Sequence, residues 1–310
     1  MDYFLYSVDL PFSGIKLFYR EINAKEQILL GKIAILYPPN EEHNNDFITA
    51  LEKILINCVE NKEDFYKINI LDYILFLTKL RILSVDNTLD LEFQKKDENN
   101  LKNKCTVNLE TFMKNLYEVA ISTNFSEEIE FKNIKIKLNW PNIKTKNFLL
   151  KNKKNILPTI SEFIEKISID EKLIIELDNF TEKEKIINKF PIALKNKIGN
   201  KVLKAIKQIV DKNLFDIDKM DWFRFNFYDP SYFYFLRLMF SCNLKKMYQE
   251  YYILATKNIN LSYVDNMSIA DKKIYCFMIE EEFKARAQNY NNGVSSDEMS
   301  LSDLINEFKG

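Results

Sequence analysis

The sequence predicts an α+β protein, with a small antiparallel sheet and helices in an N-terminal domain and a mostly helical C-terminal domain. Three observations lead there. Apolar residues alternate on both sides of a Pro-Phe-Ser-Gly turn near the start, and again over Ile134, Ile136, Leu138 and Trp140. Helical spacing of apolar residues recurs between 24 and 83. Beyond Asn142 strand signal is scarce, and Pro158, Pro191 and Pro230 punctuate successive helical patterns.

Taken in order, Phe4, Tyr6, Val8 and Leu10 alternate before the turn and Ile15, Leu17 and Tyr19 after it, which predicts a β-hairpin with Gly14 free to take positive φ. Residues 24–36 follow as a helix stopped by Pro38-Pro39. A second helix over 46–59 turns Phe47, Leu51, Ile54, Leu55 and Cys58 inward and Glu52, Lys53 and Asn57 toward water. The next, 71–83, is apolar nearly all round and belongs inside the domain. Leu89, Leu91 and Phe93 alternate as a strand, a charged loop covers 95–104, and 106–109 leads into a short helix over 110–120. The strand over 134–140 ends at Pro141-Asn142.

These patterns place an α+β domain at 1–143 and a helical domain at 144–290. In the second, Asp229-Pro230 is an N-cap followed by proline at the first helical position, opening the aromatic helix SYFYFLRLMF. Helices over 244–256 and 268–287 complete a bundle, with Ser262 and Ser268 where caps are wanted. Residues 291–310 read as a linker followed by a short amphipathic docking helix. Its capping box is Ser300 with Asp303, and Leu301, Leu304, Ile305 and Phe308 share one face. Such a helix is marginal alone and either packs onto its own domain or anchors a partner subunit.

Composition bounds the function. With 310 residues, 46% hydrophobic and 29% charged, the chain can bury one large or two medium cores. Lys+Arg 44 against Asp+Glu 45 leaves a net charge of -1, so the electrostatic footprint of a nucleic-acid binder is missing. Cys58, Cys105, Cys242 and Cys276 are far apart, as expected of reduced cytosolic thiols. The start, MDYFLYSVDL, lacks the basic segment of a signal peptide, and charges interrupt every apolar run before the roughly 18 residues a membrane helix needs. A soluble protein made in a cytoplasm is expected.

The familiar chemical devices are absent. Gly14, Gly31, Gly199, Gly293 and Gly310 are too dispersed for a dinucleotide fingerprint or P-loop, which need closely spaced glycines to bring backbone amides onto phosphate. His43 is the one histidine and reads as a surface loop residue in EEHNND. Asp216, Asp218 and Asp221 lack the glycine turn and distal Glu of a calcium loop and read as caps. Glu280, Glu281 and Glu282 diverge by about 100° each on a helix and read as a solvated face. The aromatic stretch 222–235, with Arg224 interleaved, reads as bundle core plus subunit interface, so Tyr232, Phe233 and Phe235 join Leu301, Leu304, Ile305 and Phe308 as candidate partner-binding residues. No catalytic, cofactor-binding or metal residue is assigned, and no small-molecule substrate is inferred.

Two segments carry a resemblance. Leu10-Pro11 with Gly14, then Lys16, Phe18, Tyr19 and Arg20, then Lys25, Glu26, Leu29 and Leu30, are followed further on by an aromatic-leucine helix ending in Lys79, Leu80, Arg81, Ser84 and Val85. Over roughly residues 1–140 this is similar to the baseplate hub proteins of T-even-like contractile-tailed bacteriophages. The pattern has a glycine after its Ser-Val step, where this chain has Asp86, with Asn87 available for the turn. The resemblance implies a virion structural protein that acts in tail and baseplate assembly through contacts with other phage tail proteins. It implies a place in the tail baseplate after a passage through the host cytoplasm, and the charge balance and interrupted apolar runs point to neither nucleic acid nor membrane as partner. A tail assembly chaperone that does not stay in the virion is the alternative, and a phage enzyme a more distant one.

Overall fold

A computed structural model describes residues 4–37, 43–94, 102–123, 125, 128–143, 159–169, 173–176, 180–215 and 230–291. Its described residues fall into two compact units. One takes the chain up to Glu21 together with Leu30–Ser241, and the other takes Ile22–Leu29 together with the chain from Cys242 onward.

The larger unit begins with the expected hairpin, β1 (Tyr6–Leu10) against β2 (Ile15–Tyr19), in a register that sets Val8 opposite Leu17 and Leu10 opposite Ile15. Val8, Leu10, Leu17 and Tyr19 are buried, while Ser7, Asp9, Lys16 and Phe18 face outward. Gly14 has φ +65, and a Cβ there would meet nothing, so backbone conformation alone is what demands glycine.

The turn is held from below by α4 (Ile70–Ser84), which follows α2 (Asn44–Leu55) and the short α3 (Lys62–Phe65). Asp72, fully buried in the first turn of α4, accepts the Phe12 N–H at 3.3 Å and the Ser13 N–H at 2.5 Å. Asn69 caps the helix by accepting the Asp72 N–H at 3.0 Å, and its own N–H donates to the Ser13 hydroxyl at 2.8 Å. Burial raises the Asp72 carboxyl above its ordinary 3.8, and hydrogen bonds from Ser13 and Phe12 pull against that shift. Behind this joint Phe76 meets the rings of Tyr19 and Phe65 edge-on, at 5.4 and 5.9 Å.

Two details of α2 depart from the periodicity. The α-helix stops at Leu55 and continues as a 3₁₀ turn over Ile56–Cys58. Glu52, expected in water, is buried and raises the phenol pKa values of Tyr66, Tyr73 and Tyr232 after burial itself has done most of that.

β3 (Thr88–Gln94) and β4 (Lys102–Asn108) form a second hairpin with Leu89 opposite Val107, and α5 (Leu109–Thr123) follows directly. Next comes a four-stranded antiparallel sheet of β5 (Glu128–Phe131), β6 (Ile134–Leu138), β7 (Ile164–Ile169) and β8 (Leu173–Glu176), in that order. β7 and β8 are strands within 144–290, where the pattern predicts successive helices with little strand signal, and the sheet they share with β5 and β6 spans the boundary expected at 143, while the rest of that stretch is mostly helical. The misreading has a cause: Ile160, Phe163, Ile164 and Ile167 repeat at i, i+3, i+4 and i+7, a helical signature. In the fold, Ile160–Phe163 is a 3₁₀ turn and the strand starts at Ile164. The pairing jumps from Lys137 opposite Lys166 to Leu138 opposite Ile164, so Glu165 is the extra residue of a bulge. That bulge lets Ile164 and Ile167, an odd number of residues apart, both bury.

α6 (Phe180–Asn188), α7 (Ile192–Val210) and α8 (Pro230–Met239) complete the unit. The smaller unit holds α9 (Leu244–Thr256), α10 (Leu261–Asn266) and α11 (Ile269–Asn291), with α1 (Ala24–Leu36) entering it through its first turns. Asn23 and Glu26 form a reciprocal cap at the start of α1, at 2.8 and 3.0 Å, and the Ala24 N–H donates to the Met267 carbonyl at 2.9 Å. Leu254, Val264, Met267, Cys276 and Ile279 make the core. Ser268 caps α11 as expected, by accepting the Asp271 N–H at 3.0 Å. Ser262 does not cap α10; Asn260 does, accepting the Ser262 N–H at 2.8 Å. Lys272, 1% exposed, pairs with Glu250 at 2.7 Å between α11 and α9.

Three outcomes follow. Asp72→Ala strands two amides of the turn and lowers stability by about 3 kcal/mol in urea unfolding. Because the folded pKa of Asp72 lies above the unfolded one, wild-type stability relative to Asp72→Asn is greatest below about pH 3.8 and declines as pH rises through the folded pKa, which unfolding curves across that range measure. Glu250→Ala leaves Lys272 buried without its carboxylate and costs about 3 kcal/mol or more by thermal unfolding, whereas the double change Glu250→Leu and Lys272→Met recovers most of the loss.

Candidate assembly surfaces

Two arginines among the residues that carried the phage resemblance serve joints. Arg20 donates to the carbonyls of Glu21 and Asn57, at 2.8 and 3.0 Å, and so fastens the end of β2 to the turn after α2. Arg81, buried near the other end of α4, donates to the Met239 carbonyl at 2.7 Å and to Asp86 at 3.2 Å. Asp86, standing where the resemblance has glycine, also accepts the Thr88 N–H at 3.2 Å and so shapes the entry into β3. A carboxylate that draws the chain into the next strand does the work of a flexible residue there.

The aromatic candidates lie inside. Tyr232 and Phe233 are 2% exposed and Phe235 0%, with Phe235 centred 5.3 Å from Phe112, which itself stacks on Phe215 at 4.7 Å. Helix α8 therefore fills its own unit at these positions and presents none of the three rings to a partner. Burial, followed by the charge of Glu52, raises the Tyr232 phenol and keeps it neutral. On the same helix Arg237 lies 4.3 Å from the centre of the Phe47 ring, with donors to the Tyr37 carbonyl and the Asn44 side chain. Arg224, Asp216, Asp218, Asp221, Leu301, Leu304, Ile305 and Phe308 lie outside the described residues.

The remaining chemistry-bearing groups do not converge. Glu281 pairs with Lys284 at 2.8 Å, and Glu282 with Lys257 and Arg286 at 2.9 and 2.6 Å, as separate surface pairs. His43 is half-buried just before α2, where its carbonyl accepts the Phe47 N–H at 3.0 Å. Among the described residues no group of three His, Cys, Asp or Glu could hold a metal ion. An open groove of about 460 Å³ between α5 and α7 is lined by Val119, Ser122, Lys204, Lys207, Gln208, Asp211 and Lys212, a basic setting with one carboxylate.

Exposed large apolar residues are spread over several elements, Ile35, Leu36, Ile192 and Leu203 among them, and two places combine them with a further feature. Among the described residues β1 pairs only with β2, which leaves its other edge without a ladder partner. The outer side of β2, by contrast, is occupied: Asn61 accepts the Phe18 N–H at 2.9 Å, and the Glu60 N–H donates to the Phe18 carbonyl at 2.8 Å. Beside the open edge Phe4 is 74% exposed, and Leu5 and Phe18 are exposed with it. An open edge flanked by large apolar side chains is a ready template for another chain. The second place is α11, where Ile274, Phe277 and Met278 are all more than half exposed on the side opposite the core-facing Cys276 and Ile279. Sequence reasoning passed over these three, although they make the helix apolar on two faces, a pattern visible in IYCFMI.

Polar joints inside and apolar patches outside are the make-up of a protein that works by fitting against others. A family described as T4 bacteriophage base plate protein matches residues 3–215, more than half of the chain, and the chain belongs to that family. It is a structural protein of the phage baseplate, and other baseplate proteins are its partners. No curated protein and no solved structure matches it. Among the described residues no helix is long and apolar enough to cross a membrane.

Phe4→Glu with Phe18→Glu, both at exposed positions, is expected to leave unfolding free energy within about 0.5 kcal/mol of wild type, measured by urea titration.

Proposed function

We propose that this chain is a subunit of the baseplate hub of a contractile-tailed phage, folded in the host cytoplasm and carried into the virion by protein–protein contacts, without a catalytic step or cofactor of its own. Family membership over residues 3–215 carries the reading, and the open β1 edge with Phe4, Leu5 and Phe18 lies inside that stretch. A standard interface of about 1,600 Å² would make a stable joint. The near-zero net charge of -1 suits protein neighbours better than a phosphate backbone.

Mass spectrometry of purified virions, with tails separated from heads, tests it. Peptides of this chain in tails, at few copies relative to a sheath standard, support the hub reading. Absence from virions with abundance in infected-cell lysate moves the assignment to an assembly chaperone. In the same assay the Phe4→Glu, Phe18→Glu variant is expected to fall at least about tenfold in incorporation, the loss that about 1.4 kcal/mol of contact energy produces.

A further inference from the structure

Helix α11 carries a second apolar face opposite the one that builds its own core. Lys272, Cys276 and Ile279 are buried on the inner side, where the core also holds Leu254 of α9 and Val264 of α10. Successive helical residues turn by about 100°, so Ile274, Phe277 and Met278 fall on the outer side, where they are 56%, 60% and 62% exposed. At i, i+3, i+4 spacing they form one ridge rather than scattered exposure.

The charges around this ridge divide into two sets. Glu281 pairs with Lys284, and Glu282 with Lys257 and Arg286, so these carboxylates already have cations of their own chain. Lys273 and Glu280 are exposed and enter no ion pair among the described residues. They stand two turns apart on the same flank of the ridge.

In heptad terms Ile274 and Phe277 occupy positions a and d, and Lys273 and Glu280 occupy two successive g positions. Turned end over end about a two-fold axis, a second copy sets its Phe277 on Ile274 and its Ile274 on Phe277. The same rotation brings Lys273 beside Glu280 of the other copy, and does so twice. A parallel pair sets Lys273 against Met278 and Glu280 against Ala285, so no opposite charges meet. Charge complementarity therefore selects the antiparallel copy of α11 as the occupant.

We infer that α11 is the two-fold interface of a homodimer, in which the Ile274, Phe277 and Met278 ridges of two copies pack together and Lys273 pairs with Glu280 across the axis. One short ridge on another buries less than the roughly 1,200 Å² of a stable complex, so this dimer is weak and forms at high local concentration. Helix α11 lies beyond residues 3–215, and the inference does not depend on the hub reading.

Sedimentation velocity of the full-length protein, from dilute to roughly millimolar concentration, tests it. The mass should rise from that of one chain toward that of two, and Phe277→Asp should hold it at one. Lys273→Glu turns both cross-axis pairs into repulsions and should raise the dimer dissociation constant about tenfold, as should Glu280→Lys. The double exchange, Lys273→Glu with Glu280→Lys, should return it close to the wild-type value. All three positions are exposed, and thermal unfolding of each dilute variant checks that the fold is kept. A chain that stays monomeric at every concentration overturns the inference. So does a dimer indifferent to Phe277→Asp, or one in which the single charge changes fail to weaken association or the double exchange fails to restore it.

Discussion

The carboxylate of Asp72 is the point on which the larger unit turns. It lies in the first turn of α4, where free backbone amides and the helix dipole favour negative charge, yet it spends its acceptors on the amides of Phe12 and Ser13 in the β1–β2 turn. The hairpin is thereby positioned by an interaction that bends in only one way. Gly14 must be in its positive-φ conformation for the turn to close, and around the same carboxylate the Asn69 N–H donates to the Ser13 hydroxyl while the Asn69 side chain accepts the Asp72 N–H. With the turn pinned, Val8, Leu10, Leu17 and Tyr19 meet the buried side of α4, and a slip of one residue would turn that apolar set out to water.

The same device recurs elsewhere with cations. Arg81 donates to the carbonyl of Met239 at the end of α8, Arg237 to that of Tyr37 just past α1, and Lys183 to that of Ile164 at the start of β7. Helix ends present carbonyls without intrahelical partners, and a buried cation satisfies them while these hydrogen bonds offset part of its cost of leaving water. These are long-range connections in sequence, so they fix which elements meet rather than whether each element forms. The Lys272 and Glu250 pair plays that part in the smaller unit, where the core is small and α9 and α11 need a defined register.

For a baseplate protein this division is physically sensible. Rigid interior joints hold a surface in shape, and the folded chain leaves apolar residues outside at the β1 edge and along α11. Tyr232, Phe233 and Phe235 show how composition alone misleads. An aromatic-rich helix suits an interface and a core equally well, and the choice was made by Phe112 and Phe215, far away in sequence.

Local pattern by itself determined much of the secondary structure. The hairpin, the helices at 24–36 and 244–256, the buried helix starting near 70 and the strand at 134 all follow from alternation, helical spacing and turn residues that act within a few positions. The family could be read as well, and Arg20, Glu26 and Arg81 of its motif make hydrogen bonds that join elements of the fold. Other features had no local signal. β7 is a strand despite helical spacing because a sheet edge was available and a bulge at Glu165 corrected its phase. Glu52 faces inward among tyrosines, Asn260 outcompetes Ser262 for a cap, and residues 22–29 gather with the chain beyond 242 through the Ala24 to Met267 hydrogen bond. Each depends on what lies opposite a residue in space, and tertiary packing decides that because a chain in isolation has nothing opposite it.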